Sequence, residues 1–441
     1  LFGTDGVRGV ANTELTPELA FRLGEAAGHF LGERGQGRIV VGRDTRRSGG
    51  MLEAAIVAGI CSGGADALVA GIVPTPAVAH LTREFDADGG VVISASHNPA
   101  PYNGIKFFSR DGFKLPDELE DEIEAFTAAK REWERPTGAD VGRVVPVGDA
   151  LDRYVRYAAG TIDDDLSGLT IAVDCGHGAA SVATPRTLRQ LGAKVISVNC
   201  DWDGMDINDA CGSTDLGPLI ELVRTHEVDF GIAHDGDADR VLAVDETGSE
   251  IDGDMIMAVC ATQMKARNAL KADTVVSTVM CNLGFEIAMR DHGIAVIKTK
   301  VGDRYVLEQM LASGAVLGGE QSGHVIFLDH STTGDGLITA LQVADIVKRS
   351  GRPLSELRSV MTRYPQVLVN VSVREKGMLG ASAAISDAVH AAEDELGDHG
   401  RVLVRASGTE PLVRVMAEAA DERVARAVVD RLARVVEAEL A

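Results

Sequence analysis

Leu169-Thr170-Ile171-Ala172-Val173-Asp174 is an apolar run ending in one carboxylate; a helical stretch follows, closing on Gly192-Ala193, and then a second run, Val195-Ile196-Ser197-Val198. Continuous β-branched runs without polar alternation read as strands buried on both faces, and the helix between them makes the pair a parallel βαβ unit. Gly192 suits the end of that helix, where a left-handed residue closes the last turn. The pattern occurs twice more. Upstream, Arg38-Ile39-Val40-Val41-Gly42 leads through a helix to Gly64-Ala65 and then Ala67-Leu68-Val69-Ala70-Gly71. Downstream, Thr274-Val275-Val276-Ser277-Thr278 leads to Gly293-Ile294 and then Ala295-Val296-Ile297. Three related α/β domains account for the repetition; three unrelated crossovers in fewer domains would produce it too.

The tail departs from this pattern. A strand over 367–373, a helix over 381–395, strands over 401–406 and 412–418 and a helix over 421–440 predict a smaller α+β domain with an antiparallel sheet. Linker composition near 146–149, 252–254 and 364–365 sets the expected domains at 1–148, 149–253, 254–365 and 366–441. A chain of 441 residues exceeds the roughly 150 residues of one average domain.

Lys and Arg number 43 against 66 Asp and Glu, a formal net charge of −23. So acidic a surface disfavours a broad nucleic-acid footprint or docking on an anionic membrane. An anionic ligand would need a local basic island. No stretch approaches the ~20 uninterrupted apolar residues of a membrane span. The six cysteines are scattered without a CxxC pair, which reads as reduced thiols in a cytoplasmic protein rather than a disulfide frame or zinc site. The chain opens at Leu1, so a few native residues are expected before it.

Four loops carry chemistry. In Ala233-His234-Asp235-Gly236-Asp237-Ala238-Asp239-Arg240, three carboxylates alternate after an apolar run. An extended chain would hold alternate residues roughly 6.6 Å apart, too far to share a small cation. Gly236 and Ala238 leave room for the chain to curl, and three hard oxygen donors then suit Mg²⁺; otherwise this is a solvated acidic turn. In Gly90-Val91-Val92-Ile93-Ser94-Ala95-Ser96-His97-Asn98-Pro99, a strand runs into hydroxyls, an imidazole and an amide. Ser96 falls beyond a strand's carboxyl end, where open α/β sheets bind ligands, and could be a nucleophile; the other reading is a capping or Asx turn. No Gly-x-Ser-x-Gly elbow is present, which disfavours acyl-transfer hydrolysis. Lys106, in Asn103-Gly104-Ile105-Lys106-Phe107, is either a solvated strand lysine or a cation at the same mouth.

Arg405-Ala406-Ser407-Gly408-Thr409-Glu410-Pro411 follows an apolar strand and offers backbone N–H groups, two hydroxyls and a guanidinium as a phosphate cradle, to which Arg414 could add; a bare hairpin turn is the alternative. Gly318-Gly319-Glu320-Gln321-Ser322-Gly323-His324 brings together groups suited to sugar hydroxyls.

Taken together and in this order, the loops resemble those of the α-D-phosphohexomutase superfamily over essentially the whole chain. The opening Phe2-Gly3-Thr4-Asp5-Gly6-Val7-Arg8-Gly9, with Ser94, Gln321 and Lys300-Val301-Gly302-Asp303-Arg304, resembles its phosphoglucosamine mutase branch. Asp303 stands where other branches often carry a catalytic His, so that residue does not carry over, and Ala406 stands where Pro is common. The resemblance implies three similar α/β domains with mixed sheets plus a C-terminal α+β domain around a central cleft. It implies the interconversion of glucosamine 6-phosphate and glucosamine 1-phosphate through phospho-Ser96 and a sugar 1,6-bisphosphate, feeding cell-wall precursor synthesis.

The implied site has Ser96, His97, Lys106 and Arg8 in the catalytic group, and Ser96 with Asp235, Asp237 and Asp239 around one Mg²⁺ per chain. Glu320, Ser322 and His324 hold the sugar; Arg405, Ser407, Gly408, Thr409 and Arg414 hold phosphate; Arg240, Lys300 and Arg304 support. Arg8, Arg43, Lys106, Arg304 and Arg405 would make a positive cleft within the acidic envelope. The partner is a small phosphosugar, with no nucleic acid or membrane, and a homodimer stays open. The rivals are a glucose or mannose phosphate mutase of the same superfamily, a Ser/Mg-dependent sugar phosphatase, and a non-catalytic sugar-phosphate sensor.

Overall fold

The apolar runs become the central strands of three sheets, and each sheet is built in the same order. The computed structural model describes the chain except residues 4–5, 33–36, 130–132, 408–410 and 441 and the side chain of residue 376. The first sheet contains β1 (Val7–Val10), β2 (Arg38–Arg43), β3 (Asp66–Ile72), β4 (Gly89–Ile93), β5 (Tyr102–Ser109) and β6 (Val144–Pro146) in the order β1-β5-β4-β2-β3-β6. The second contains β7 (Thr170–Asp174), β8 (Lys194–Val198), β9 (Phe230–His234), β10 (Val241–Asp245) and β11 (Glu250–Ile251) in the order β11-β10-β9-β7-β8. The third contains β12 (Thr274–Thr278), β13 (Ala295–Thr299), β14 (Leu317–Gly319) and β15 (Val325–Phe327) in the order β13-β12-β14-β15.

One motif underlies all three. A central strand (β2, β7 or β12) has a parallel neighbour on each side, β3 and β4, β8 and β9, or β13 and β14. A fourth strand (β5, β10 or β15) then adds antiparallel to the third. Recurrence of this order favours three related domains over unrelated crossovers. The helix of each first crossover ends as its sequence suggests: Gly64, Gly192 and Gly293 sit just past it at φ of 97°, 93° and 66°, values that cost an L side chain energy and glycine nothing.

The chain divides into two compact units, Leu1–Met280 with Ile294–Ser359, and Cys281–Gly293 with Val360–Ala441. The second unit holds β16 (Gln366–Ser372), β17 (Gly400–Ala406) and β18 (Leu412–Ala419) as an antiparallel sheet in the order β16-β18-β17, the α+β arrangement expected of the tail. Val413, Val415, Ala417 and Ala419, alternate residues of β18, lie in one core with Ala425, Val428, Val429, Leu432 and Val436 of the last helix, Glu422–Leu440. Periods of two and of 3.6 residues thus meet face to face. The helix Leu283–Asp291, between β12 and β13 in sequence, belongs to this unit. Buried Glu418 accepts from the Leu283 N–H at 2.9 Å and from Asn282 Nδ2 through its other oxygen at 3.1 Å. Among the described residues no helix is long and apolar enough to cross a membrane, and all six cysteines are free thiols.

Candidate active site

The equivalence of the three sheets explains where the loops fall. Ser96 lies between β4 and β5, the Asp235–Asp239 carboxylates between β9 and β10, and Glu320–His324 between β14 and β15. Each is the turn from the third strand to the antiparallel fourth, so the three loops singled out in the sequence occupy one equivalent position in the motif. Strand-end loops suit this task because the rigid sheet positions them while their own polar groups stay uncommitted to a ladder.

The serine and aspartate loops meet. Ser96 is 1% exposed, and its Oγ donates to Asp235 Oδ2 at 2.7 Å and lies 3.3 Å from His97 Nδ1. One oxygen from each of Asp235, Asp237 and Asp239 falls within 4.8 Å of the others, and all three residues are buried. The curl that achieves this puts Ala238 at φ 57°, and Ser96 itself stands at φ 51°, left-handed conformations that non-glycine residues adopt at a cost. Gly236 cannot be replaced cheaply, because a Cβ there would meet the Ser96 carbonyl oxygen at 2.7 Å.

The electrostatics of the triad are uneven. Burial, then the neighbouring carboxylates Asp239 and Asp237, raises Asp235 well above the ordinary carboxylate range. At Asp239 burial works in the same sense, but the Lys106 charge and the adjacent His324 ring outweigh it and hold the group well below that range. Lys106 is itself buried, with Nζ 3.0 Å from Asp237 Oδ2 and 3.6 Å from Asp239 Oδ2. Thr75 Oγ1 donates to Asp237 Oδ2 at 2.7 Å. Oδ1 of Asp237 and Oδ1 of Asp239 are buried and make no hydrogen bond among the described residues. Three clustered hard-oxygen ligands, two with an orphaned oxygen, fit a divalent cation.

The other expected site residues divide between this cluster and elsewhere. His97 is pushed down to about 4, by burial first and then by the Arg240 and Arg8 cations, so it is a neutral hydrogen-bonding group at pH 7. Arg8 lies on β1 opposite Gly104 of β5, and the Arg240 N–H donates to Asp235 Oδ1 at 3.2 Å. Ser322 Oγ is buried with no hydrogen-bond partner among the described residues, whereas Glu320 Oε1 accepts from the Gly302 N–H at 3.1 Å. His324 is only 3% exposed: Nδ1 lies 3.6 Å from Asp239 Oδ2, and Nε2 accepts from the Gly334 N–H at 3.0 Å. The ring thus lies against the aspartate triad as well as in the Glu320–His324 loop.

Arg304 donates to Glu120 Oε2 at 2.9 Å and also pairs with Asp117, while exposed Lys300 stands over the Tyr305 ring at 5.9 Å. Arg43 is bound to Glu53 at 2.6 Å. Acidic neighbours thus pair with both Arg43 and Arg304, two of the cations expected in a positive cleft.

Within the second unit, Arg405 of β17 and Arg414 of β18 are cross-strand partners. Like charges directly opposite destabilise a sheet, and an anion between them would relieve that cost. Burial and the Arg414 cation lower the Arg405 guanidinium below its usual range. Ser407 is buried, and its N–H donates to the Leu412 carbonyl at 2.9 Å. Gly408 and Thr409 lie outside the described residues.

Sequence reasoning missed Asp44, Arg46, Thr75 and Asn208, all of which touch the two meeting loops. Asp44-Thr45-Arg46 directly follows β2, a strand end with two charged residues, and that was the available signal.

Family models of phosphoglucomutase/phosphomannomutase match along the chain: alpha/beta/alpha domain I over 1–134, domain II over 152–248, domain III over 252–364 and the C-terminal domain over 368–435. The phosphoglucosamine mutase of Desulforamulus reducens is 55% identical over 99% of both chains. That of Streptomyces coelicolor is 56% identical over 100% of this chain and 99% of its own. Among solved structures, a phosphoglucomutase/phosphomannomutase family protein from Burkholderia thailandensis superposes with a TM-score of 0.83 at 26% identity, covering 99% of this chain and 97% of that one. The N-acetylphosphoglucosamine mutase of Aspergillus fumigatus shares the fold with a TM-score of 0.73 at 18% identity, covering 99% and 95%.

Proposed function

The chain belongs to the phosphoglucomutase/phosphomannomutase family, and from that premise we propose that it is a phosphoglucosamine mutase, an isomerase interconverting glucosamine 6-phosphate and glucosamine 1-phosphate. One observation carries the chemistry: a serine hydroxyl bonded at 2.7 Å to a member of a buried carboxylate triad. Ser96 carries the phosphoryl group between turnovers. A sugar hydroxyl attacks the phosphorus of phospho-Ser96; the new P–O bond forms to the sugar as the Ser96 Oγ–P bond breaks, and the hydroxyl's proton ends on Ser96 Oγ, giving a sugar 1,6-bisphosphate and free Ser96. That intermediate reorients and returns its other phosphoryl group to Ser96.

Asp235, Asp237 and Asp239 would hold Mg²⁺, which draws charge from a transferring phosphoryl group when bound. Lys106 stands among these carboxylates as the fixed cation of the site, and Arg8 and neutral His97 complete the polar wall. Ser322, with its free hydroxyl, and Glu320 bind ring hydroxyls, and His324 holds Asp239 behind them. Arg405, Ser407, Gly408, Thr409 and Arg414 bind substrate phosphate, a role that the opposed arginines support. We place the enzyme in the cytoplasm, a reading that its six free thiols support.

Incubating the protein with glucosamine 6-phosphate, Mg²⁺ and a trace of glucosamine 1,6-bisphosphate tests the reading. Glucosamine 1-phosphate is the expected product. Free phosphate instead would make it a phosphatase, and no turnover a sensor. Faster turnover of glucose or mannose phosphate would overturn the amino-sugar assignment.

A further inference from the structure

Ser96 holds a backbone conformation that a serine does not choose by itself, and a buried polar network fixes both sides of it. Its carbonyl oxygen accepts from Arg46 Nη2 and from Asn208 Nδ2, each at 2.9 Å. Its N–H donates to Ser94 Oγ at 2.9 Å, and Ser94 Oγ in turn donates to Asp44 Oδ2 at 2.6 Å. Arg46 closes the circuit. Nε donates to Asp44 Oδ2 at 2.9 Å, Nη1 to the carbonyls of Pro99 and Tyr102 at 2.7 and 3.0 Å, and Nη2 to those of Ser96 and Asn98 at 2.9 and 2.6 Å.

A guanidinium has five N–H groups, and here each has an acceptor. Its side chain is fully buried, as is that of Asp44. A charge pair taken wholly out of water and aimed at four carbonyls of one loop is costly to build for stability alone. Its geometry is suited to fixing the path of residues 96–102.

We propose that Arg46, Asp44 and Ser94 form the positioning device of the nucleophile: Arg46 and Asn208 grip the Ser96 carbonyl while Asp44, through Ser94, grips its N–H, so that Oγ stays aimed at the aspartate triad. None of the three touches substrate; they act through the Ser96 backbone. This rests on Ser96 being the phosphoryl acceptor.

Ser94 is the practical point of attack, because Ser94→Ala removes one oxygen and leaves the Arg46–Asp44 pair in place. Dephosphorylated enzyme is mixed with glucosamine 1,6-bisphosphate, and phosphate on Ser96 is followed by intact mass under single-turnover conditions. Ser94→Ala should slow phosphorylation on the order of tenfold, the weight of one hydrogen bond expressed as a rate. Half-saturating bisphosphate should stay within about twofold of the parent, as expected when only orientation is lost. Ser94→Thr, which keeps the hydroxyl, should restore the rate.

Arg46→Lys, in which three donors replace five, should be slower than Ser94→Ala if it folds. Ser94→Ala at the parent rate, or Ser94→Thr no faster than Ser94→Ala, would overturn the proposal. A parent enzyme that never takes phosphate on Ser96 would refute the phosphoserine reading instead, so the two failures are separable.

Discussion

Lys106→Met isolates the electrostatics of the site, because methionine nearly preserves the shape of the lysine stem and deletes its charge. In the parent, Nζ stands 3.0 Å from Asp237 and 3.6 Å from Asp239, with the lysine side chain 4% exposed. Removing it leaves three carboxylates whose oxygens cluster within 4.8 Å without their ammonium partner. Breaking a buried pair by removing one member typically costs about 3–5 kcal/mol, and two unit charges at 4 Å interact by about 4 kcal/mol at an effective dielectric of 20. Metal-free Lys106→Met should therefore unfold more easily than the parent by about 3–5 kcal/mol.

The same deletion removes a cation that repels Mg²⁺ and competes for Asp237 Oδ2, so the metal should bind at least about tenfold more tightly. By linkage, each tenfold in affinity adds about 1.4 kcal/mol of stabilisation at saturating metal. Excess Mg²⁺ should accordingly narrow the gap between variant and parent by that amount or more, while turnover falls. Denaturant unfolding in EDTA and in excess Mg²⁺, with calorimetric titration of the metal, measures both quantities. If the variant equals the parent in EDTA, or binds Mg²⁺ no more tightly, Lys106 is not the charge that balances the triad.

Ser96→Ala should abolish turnover while leaving the fold intact, and the phosphate adduct expected on the parent by intact mass should be missing from the variant. Arg405→Ala should lower kcat/KM roughly 10- to 150-fold, because a charge-assisted hydrogen bond to phosphate contributes roughly 1.5–3 kcal/mol; steady-state kinetics within twofold of the parent would dismiss the arginine pair as a phosphate site. His234 is fully buried, with Nε2 3.0 Å from Thr184 Oγ1 and Nδ1 3.1 Å from the Arg240 carbonyl, and burial pushes it down to about 4. Between pH 6.5 and 4 the unfolded chain binds the proton and the folded one does not, so the stability tied to neutral His234 is complete above pH 6.5 and lost as pH falls toward 4. Melting curves across that range should fall less steeply for His234→Gln than for the parent.

Local signals in the sequence were enough to determine the strands, the helix ends and which strand-end loops gather polar groups. An apolar run with β-branched residues reports burial on both faces wherever its partners lie, and Gly192 must close its helix for reasons contained in a few residues. Gly236 and Ala238 between aspartates likewise determined that Asp235, Asp237 and Asp239 could converge, because chain curvature is a local property.

Tertiary structure decided which polar groups satisfy one another. Arg43 and Arg46 are three residues apart and look alike in sequence, yet one meets a glutamate near the surface and the other is buried under the serine loop, 50 positions from Ser96. Asn208, 112 positions away, reaches the same carbonyl. His324, expected at a sugar hydroxyl, also meets Asp239 and the Gly334 N–H, contacts that no local pattern announced. Hydrophobic periodicity specifies which face of an element is buried, whereas a buried hydrogen bond depends on which distant donor packing brings within about 3 Å, and nothing local to either partner encodes that meeting.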